Sequence, residues 1–119
     1  MNVKTHKDLD VWKNSIDLVK DIYLITKGFP NDELYGLTSQ IRRCAVSIPS
    51  NIAEGSARNH DKEFVQFLYV SLGSLAELET QLIIAEQIGY LKNYNYTTMN
   101  KIKKMLLGLI KYMKSKNHE

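Results

Sequence analysis

Apolar residues recur at alternating spacings of three and four along most of the chain, as they do in helices that pack side by side. No segment shows the two-residue alternation of a half-buried strand. The pattern is interrupted at Gly28 and Pro30, after Arg58, and at Gly89. It therefore predicts an all-α chain with four helices, at roughly residues 8–27, 32–57, 60–88 and 96–116.

The first predicted helix has apolar positions over about half of its circumference, which is more than one packing seam. One of its two series consists of Leu9, Trp12, Ile16, Val19 and Tyr23. The other consists of Val11, Leu18, Ile22 and Ile25. The apolar surface of the third predicted helix covers a similarly wide arc. Because a helix at the edge of a single bundle buries a narrower stripe, this excess predicts a second packing partner.

Two residues are unusual for the interior of a helix. Pro49 lies within the second helix and cannot donate a hydrogen bond to the carbonyl of Ala45, so we expect a kink or a short break there. Gly73 lies within the third helix, where a glycine costs about 1 kcal/mol of helix propensity. We expect a close approach between helices to compensate for that cost.

Four helices with short connections favour one domain over residues 1–119, folded as an antiparallel up-down four-helix bundle. A single cysteine, Cys44, excludes a disulfide framework and favours a reducing compartment. The first 12 residues contain no apolar run, and no segment has the roughly 18 uncharged apolar residues of a membrane span. We therefore expect a cytoplasmic protein without a membrane partner.

Charge is distributed unevenly along the chain. Residues 1–91 carry 9 Lys and Arg against 12 Asp and Glu, whereas residues 92–119 carry seven Lys against one Glu. This basic last helix is a candidate surface for nucleic-acid phosphates or an anionic membrane, and the alternative is a solvated lysine face. The candidate nucleic-acid-binding residues are Lys101, Lys103, Lys104, Lys111 and Lys114.

A continuous polar ridge runs along the second predicted helix. It consists of Gln40, Arg43, Ser47, Asn51, Glu54 and Arg58. Two pairs within it, Ser47 with Asn51 and Glu54 with Arg58, have the i,i+4 spacing of neighbours on a helix. The ridge is suited to a groove, a pore, a subunit interface or a plain solvent face. Small residues stand between the polar ones where a solvent face carries Lys and Glu, which favours an interface.

No catalytic or metal-binding constellation is present in the sequence. His6, His60 and His118 fall in separate segments without a second ligand at helical spacing. Cys44 belongs to an apolar seam, and there is no glycine-rich phosphate loop. We therefore predict a protein that is not an enzyme and has no metal or other cofactor.

Long stretches of the chain resemble a known family. They are YGLTSQIRRCAVSIPSNIAEGSAR (residues 35–58), FVQFLYVSLGSLAELETQL (64–82) and AEQIGYL (85–91), and residues 8–30 fit as well. The chain resembles small bacterial four-helix-bundle proteins encoded in intervening sequences of 23S rRNA genes or by free-standing genes. The accessory variability proteins of diversity-generating retroelements are related to them.

The resemblance implies a ring-like homopentamer of bundles, and it brings no established biochemical activity. The retroelement relatives bind a reverse transcriptase and nucleic acid through basic surfaces. Residues that match the family motif, as interface or structural positions, are Arg42, Arg43, Ser47, Asn51, Glu54, Gly55, Arg58, Gly73, Ser74 and Glu77. The expected function is an RNA-associated or ribonucleoprotein accessory factor that binds RNA or DNA. The alternative is a protein–protein scaffold or adaptor without nucleic-acid binding.

Overall fold

A computed structural model describes residues 5–116, and within them the chain forms four α-helices and no strand. The helices are α1 (Asp10–Thr26), α2 (Leu37–Ser56), α3 (Asp61–Gln87) and α4 (Thr97–Lys116). Short 3-10 turns at His6–Asp8 and Asn31–Glu33 precede α1 and α2. The all-α prediction is confirmed. His118, considered above as a metal ligand, lies outside the described residues.

The start of α2 differs from the sequence prediction by five residues. Asn31 and Asp32 belong to the 3-10 turn and do not cap α2. Gly36 precedes α2 with φ −112° and ψ −115°, outside the helical region. The Glu33 carboxylate accepts a hydrogen bond of 3.3 Å from the backbone N–H of Leu37. A side chain from the preceding turn therefore satisfies a free N–H group at the start of α2.

The helix α2 continues without a break through Pro49. The proline removes one backbone hydrogen bond, but its neighbours Ile48 and Ile52 are fully buried in the core. Packing of these side chains holds the backbone helical on both sides of the lost hydrogen bond. The predicted break is therefore absent.

The end of α3 and the start of α4 follow local signals in the sequence. Gly89 has a φ of 89°, in the left-handed region that favours glycine, and the N–H of Tyr90 donates to the carbonyl of Ala85 at 2.9 Å. The Asn95 side chain accepts from the N–H of Thr97 at 3.0 Å, as expected of a cap. The interruption predicted at Gly89 is therefore confirmed.

Each helix of the bundle packs against two neighbours: α1 on α2, α2 on α3, α3 on α4, and α4 on α1. The diagonal pairs, α1 with α3 and α2 with α4, bring no Cα atoms within 8 Å of each other among the described residues. Two hydrogen bonds join α2 to α3, from Ser71 Oγ to the carbonyl of Ile48 (2.9 Å) and from the Cys44 thiol to the carbonyl of Ser74 (3.0 Å). The largest fully buried apolar side chains are Leu18, Ile22, Ile41, Ile48, Ile52, Leu68, Leu78, Leu82, Met99, Ile102 and Leu106.

Only one of the two apolar series of α1 forms its core face. Val11, Leu18 and Ile22 are buried. In the other series only Leu9, just before α1, is buried. Trp12, Ile16 and Val19 are of intermediate exposure, and Tyr23 is 41% exposed. The structure therefore leaves an apolar strip on the outside of α1.

Three tyrosines fasten the connection between α3 and α4 to the rest of the bundle. Their hydroxyls donate to carboxylates: Tyr90 to Glu33 (2.9 Å), Tyr94 to Asp21 (3.1 Å) and Tyr96 to Glu86 (2.5 Å). Burial, followed by the neighbouring carboxylates, raises the pKa of Tyr94 and of Tyr96. The hydrogen bond to Glu33 raises the pKa of Tyr90. These side chains stay protonated and hold the start of α4 in place.

Candidate functional site

The outward face of α4 carries a line of free lysines. Lys101, Lys104 and Lys111 are exposed, and no carboxylate in the described part of the chain lies within ion-pair distance of them. The apolar face of the same helix is used by the core, where Ile102 and Leu106 are fully buried. This set, Lys101, Lys104 and Lys111, is called the lysine line below.

The other two candidate lysines lie on the flank of α4 that faces α3. Lys114 donates a hydrogen bond of 2.9 Å to the Tyr69 hydroxyl, with its Nζ 5.2 Å from the ring centroid. Lys103 lines a small cavity of about 90 Å³ beside Leu72 and Glu79. Their positive charges remain at the surface, but contacts with α3 hold Lys114. Sequence patterns do not reveal the role of Tyr69, because Lys114 is 45 residues away along the chain.

Two arginines of the family motif make contacts inside the bundle. The Arg42 guanidinium lies 4.7 Å from the ring centroid of Tyr23, and its Nε donates to the Thr26 hydroxyl at 2.9 Å. Arg58 pairs with Glu54 at 2.8 Å and lies 4.9 Å from the ring centroid of Phe67. Arg42 thus joins α2 to α1, while Arg58 packs the end of α2 against α3.

The Ser47 and Asn51 side chains bond to the backbone of their own helix. Ser47 Oγ donates to the carbonyl of Cys44 at 2.6 Å, and Asn51 Nδ2 donates to the carbonyl of Ser47 at 2.8 Å. The i,i+4 spacing thus brings Asn51 to the backbone of Ser47. Such bonds satisfy the polar side chains on their own helix and do not form a ligand site.

A polar groove of about 340 Å³ lies between α2 and α3. It is lined by Gln40, Arg43, Cys44, Ser47, Ser74, Glu77 and Gln81. Gln81 donates to the Glu77 carboxylate at 3.2 Å, while the other amide atom of Gln81, Oε1, is buried without a partner. Burial, assisted by Glu77, raises the pKa of the Cys44 thiol to about 12. The thiol therefore stays protonated at neutral pH, and Cys44 does not supply a thiolate nucleophile to the groove.

The outward face of α3 carries exposed apolar side chains among polar ones such as Gln66, Glu77 and Thr80. Its exposed apolar side chains are Tyr69, Val70, Ile83, Ile84 and Ile88. Gly73 lies on this face, and a Cβ placed there would meet no atom within 4 Å. The predicted close approach of a helix to Gly73 is therefore wrong within one chain, because the residue points away from the bundle.

By length and composition alone, α3 would also suffice to cross a membrane. Its inner face, however, packs into the bundle core through Leu68, Leu78 and Leu82. Long core helices of bundles meet the same criteria, so this observation is weak evidence for a membrane span.

The outside of α1 and α2 forms a second apolar surface. A groove of about 280 Å³ runs between the two helices, lined by His6, Trp12, Ile16, Val19, Val46, Pro49, Ser50 and Ala53. His6 contacts the Trp12 ring edge-on at a centroid distance of 5.0 Å. The residues 5–116 contain no group of three or more His, Cys, Asp or Glu side chains placed to hold a metal ion.

These features define a four-helix-bundle protein whose distinctive surfaces are a basic face and two apolar faces. The family model for 23S rRNA-intervening sequence proteins matches residues 7–111, and the chain belongs to that family. The resemblance found in residues 35–58 and 64–82 is thereby confirmed. A comparison with curated proteins finds no match to the chain.

Proposed function

We propose that this protein is a non-enzymatic, homo-oligomeric helical bundle that acts as an accessory factor of RNA or ribonucleoprotein particles in the cytoplasm. The lysine line carries the proposal, because its three charges are exposed and unpaired while the apolar side of α4 is already buried. Membership of a family defined by 23S rRNA intervening sequences supports an RNA context.

Contacts between helices support an antiparallel, up-down order within the bundle. Between α2 and α3, Cys44 bonds to Ser74 and Ile48 bonds to Ser71, so one residue number rises while the other falls. Gly55 lies against Phe67, in continuation of the same trend. Short connections between successive helices fit this order.

The two apolar surfaces support assembly into a ring. The groove beside Trp12 lies between α1 and α2, whereas the face around Ile84 belongs to α3, so the two surfaces are different patches of the bundle. Two different patches pair head to tail, and such contacts close into a ring when the rotation between subunits allows it. The resemblance supplies the number of subunits, five.

The polar groove between α2 and α3 is suited to the rim of such an interface. Arg43 and Glu77 are exposed at the edge of the apolar α3 face, where rims of subunit interfaces are polar and hydrated. A second copy packed on α3 would cover Gly73 and bring its own polar groups near the unpaired Gln81 oxygen.

The assembly is tested by sedimentation equilibrium of the purified full-length chain. We expect one species of about five times the chain mass of 13.7 kDa at micromolar concentration. A stable monomer under these conditions would overturn the oligomer. A stable dimer or tetramer would keep self-association and reject the pentamer.

Nucleic-acid binding is tested with the triple variant Lys101→Glu, Lys103→Glu, Lys104→Glu. Wild-type binding to a labelled RNA duplex should weaken steeply with salt, because lysine contacts release condensed counterions. The triple variant should bind at least about tenfold more weakly and with a smaller salt slope. Unchanged binding by this variant would remove α4 from the nucleic-acid interface.

A protein scaffold or adaptor is the second candidate function, and the exposed apolar side chains of α3 favour it. Exposed apolar patches rimmed by polar residues mark protein interaction sites. Recovery of one protein partner with the intact chain after nuclease treatment, with no affinity for RNA or DNA, would favour this function over the first.

A further inference from the structure

Gly108 lies in the middle of the lysine line on the outward face of α4. It follows Lys104 by four residues and precedes Lys111 by three, so the three residues stack on one side of the helix. Lys101 lies seven residues before Gly108, two turns away on the same side. The residue is exposed, and a Cβ placed there would meet nothing within 4 Å.

Packing within the chain does not explain a glycine at position 108. Gly55 shows what such a requirement looks like: a Cβ there would lie 2.6 Å from Phe67 Cβ and 2.9 Å from Phe64 Cδ1. At Gly108 the space is open, and the glycine costs the helix about 1 kcal/mol relative to alanine. An external partner that approaches the α4 backbone would make use of the missing side chain.

We infer that Gly108 is the point where the sugar–phosphate backbone of a nucleic acid comes closest to α4, with the lysine line on either side of it. This inference rests on the proposed RNA-associated function and adds where the nucleic acid lies. From Lys101 to Lys111 the helix rises about 15 Å, which lets the flanking ammonium groups reach several successive phosphates.

An anionic membrane fits this surface less well than a nucleic acid. Interfacial helices insert an apolar face into the lipid and keep their lysines beside the headgroups. In α4 that apolar face is occupied, since Met99, Ile110 and Met113 are buried against the other helices. Outward around Gly108 lie the lysine line and exposed backbone, with Leu107 and Tyr112 as the exposed apolar side chains nearby. Two such side chains do not form the continuous apolar face that an interfacial helix inserts into lipid, whereas the lysines suit a polyanion.

The test uses the full-length chain with Gly108→Ala and Gly108→Leu, and Thr98→Ala and Thr98→Leu as controls. Thr98 is exposed on the same helix, ten residues before Gly108 and about 80° around the helix axis from it. The probes are an RNA duplex and a DNA duplex of 20 base pairs each, which separate the two sources of phosphodiester, and phosphatidylglycerol vesicles. Binding is measured by fluorescence anisotropy over a range of salt, and folding by thermal denaturation.

We expect Gly108→Ala to raise the melting temperature yet weaken duplex binding by about fivefold, and Gly108→Leu to weaken it by on the order of 20-fold. The slope of the logarithm of the binding constant against the logarithm of the salt concentration should stay close to the wild-type value in both variants, since no positive charge is removed. In Lys104→Gln the magnitude of that slope should fall by about one. The Thr98 variants should bind like the wild type. A melting temperature at or above the wild-type value excludes misfolding as the cause.

Three results would overturn the inference. If the wild-type chain binds both duplexes in a salt-dependent way and the Gly108 variants bind equally well, the nucleic acid does not approach Gly108, while the proposed function stands. If the wild-type chain binds neither duplex, the proposed function fails and the inference fails with it. If Gly108→Leu strengthens vesicle binding and leaves duplex binding unchanged, α4 is a membrane surface.

Discussion

The outward faces of α3 and α4 differ sharply although the two helices lie side by side. Both bury a continuous seam in the same core, with Leu68 and Leu78 on α3 and Ile102 and Leu106 on α4. On the outside, α3 presents apolar side chains around Ile84, whereas α4 presents lysines. The inner seams hold the bundle together, and the outer faces determine which partners it can meet.

The largest expected effect is the loss of the assembly when charged residues are introduced on the α3 face. The double variant Val70→Lys, Ile84→Lys should convert the assembly to monomers, because two uncompensated ammonium groups would be buried at the interface. Sedimentation equilibrium measures the particle mass, and circular dichroism should show unchanged helix content. Lys104→Glu is the matched control, since a charge change on α4 should leave the mass as it is. An intact assembly in the double variant would show that the α3 face is not an interface.

Truncation on the two sides of α3 should have unequal effects on stability. Leu78 is fully buried, and Leu78→Ala should lower the free energy of unfolding by about 2–5 kcal/mol at every protein concentration. Ile84 is 45% exposed, and the loss from Ile84→Ala should be smaller and should appear only at concentrations where the chains assemble. Urea unfolding at two protein concentrations measures both. Equal losses that are independent of concentration would mean that Ile84 packs within its own chain.

The smallest predicted effect concerns the tyrosines that tie α4 to the remainder of the bundle. Because the pKa values of Tyr94 and Tyr96 are raised above 10.0 in the folded state, their contribution to stability is complete below pH 10 and is lost as the pH rises above it. The double variant Tyr94→Phe, Tyr96→Phe should show a shallower decline of stability between pH 9.5 and 11 in urea titrations, a window set by that ordinary value of about 10.

Tyr35→Phe is the control for that experiment, because Tyr35 is 93% exposed and its removal takes away a solvated hydroxyl. It should follow the wild-type pH dependence. If the double variant also follows the wild type, the hydrogen bonds to Asp21 and Glu86 do not hold the connection between α3 and α4.

Much of the fold was predictable because its signals are local. Gly89 and Asn95 mark helix ends by residue type, and the three-four spacing of apolar residues marks the helices themselves. The start of α2 was not predictable in this way, since the cap comes from the Glu33 side chain after a 3-10 turn. Whether Glu33 or one of the preceding residues, Asn31 and Asp32, caps α2 depends on the backbone path of the turn.

The candidate sites were predictable as sets of residues but not in their contacts. Arg42 and Arg43 are adjacent in sequence, yet one stacks on Tyr23 and the other lines the groove between α2 and α3. Lys104 and Lys114 look alike in sequence, yet only Lys114 is held by Tyr69. These distinctions depend on which way each helix is rotated in the bundle.

By itself, the sequence determined the four helices and the basic character of the last one, because helical periodicity, capping and charge are properties of neighbouring residues. The tertiary structure decided which surfaces remain outside. In α1 either apolar series is suited to face a core, and packing against α2 and α4 buries Leu18 and Ile22 while leaving Tyr23 exposed. The same packing turns Gly73 and Gly108 outward, because each helix presents its larger apolar side chains to the core, where burial is most favourable.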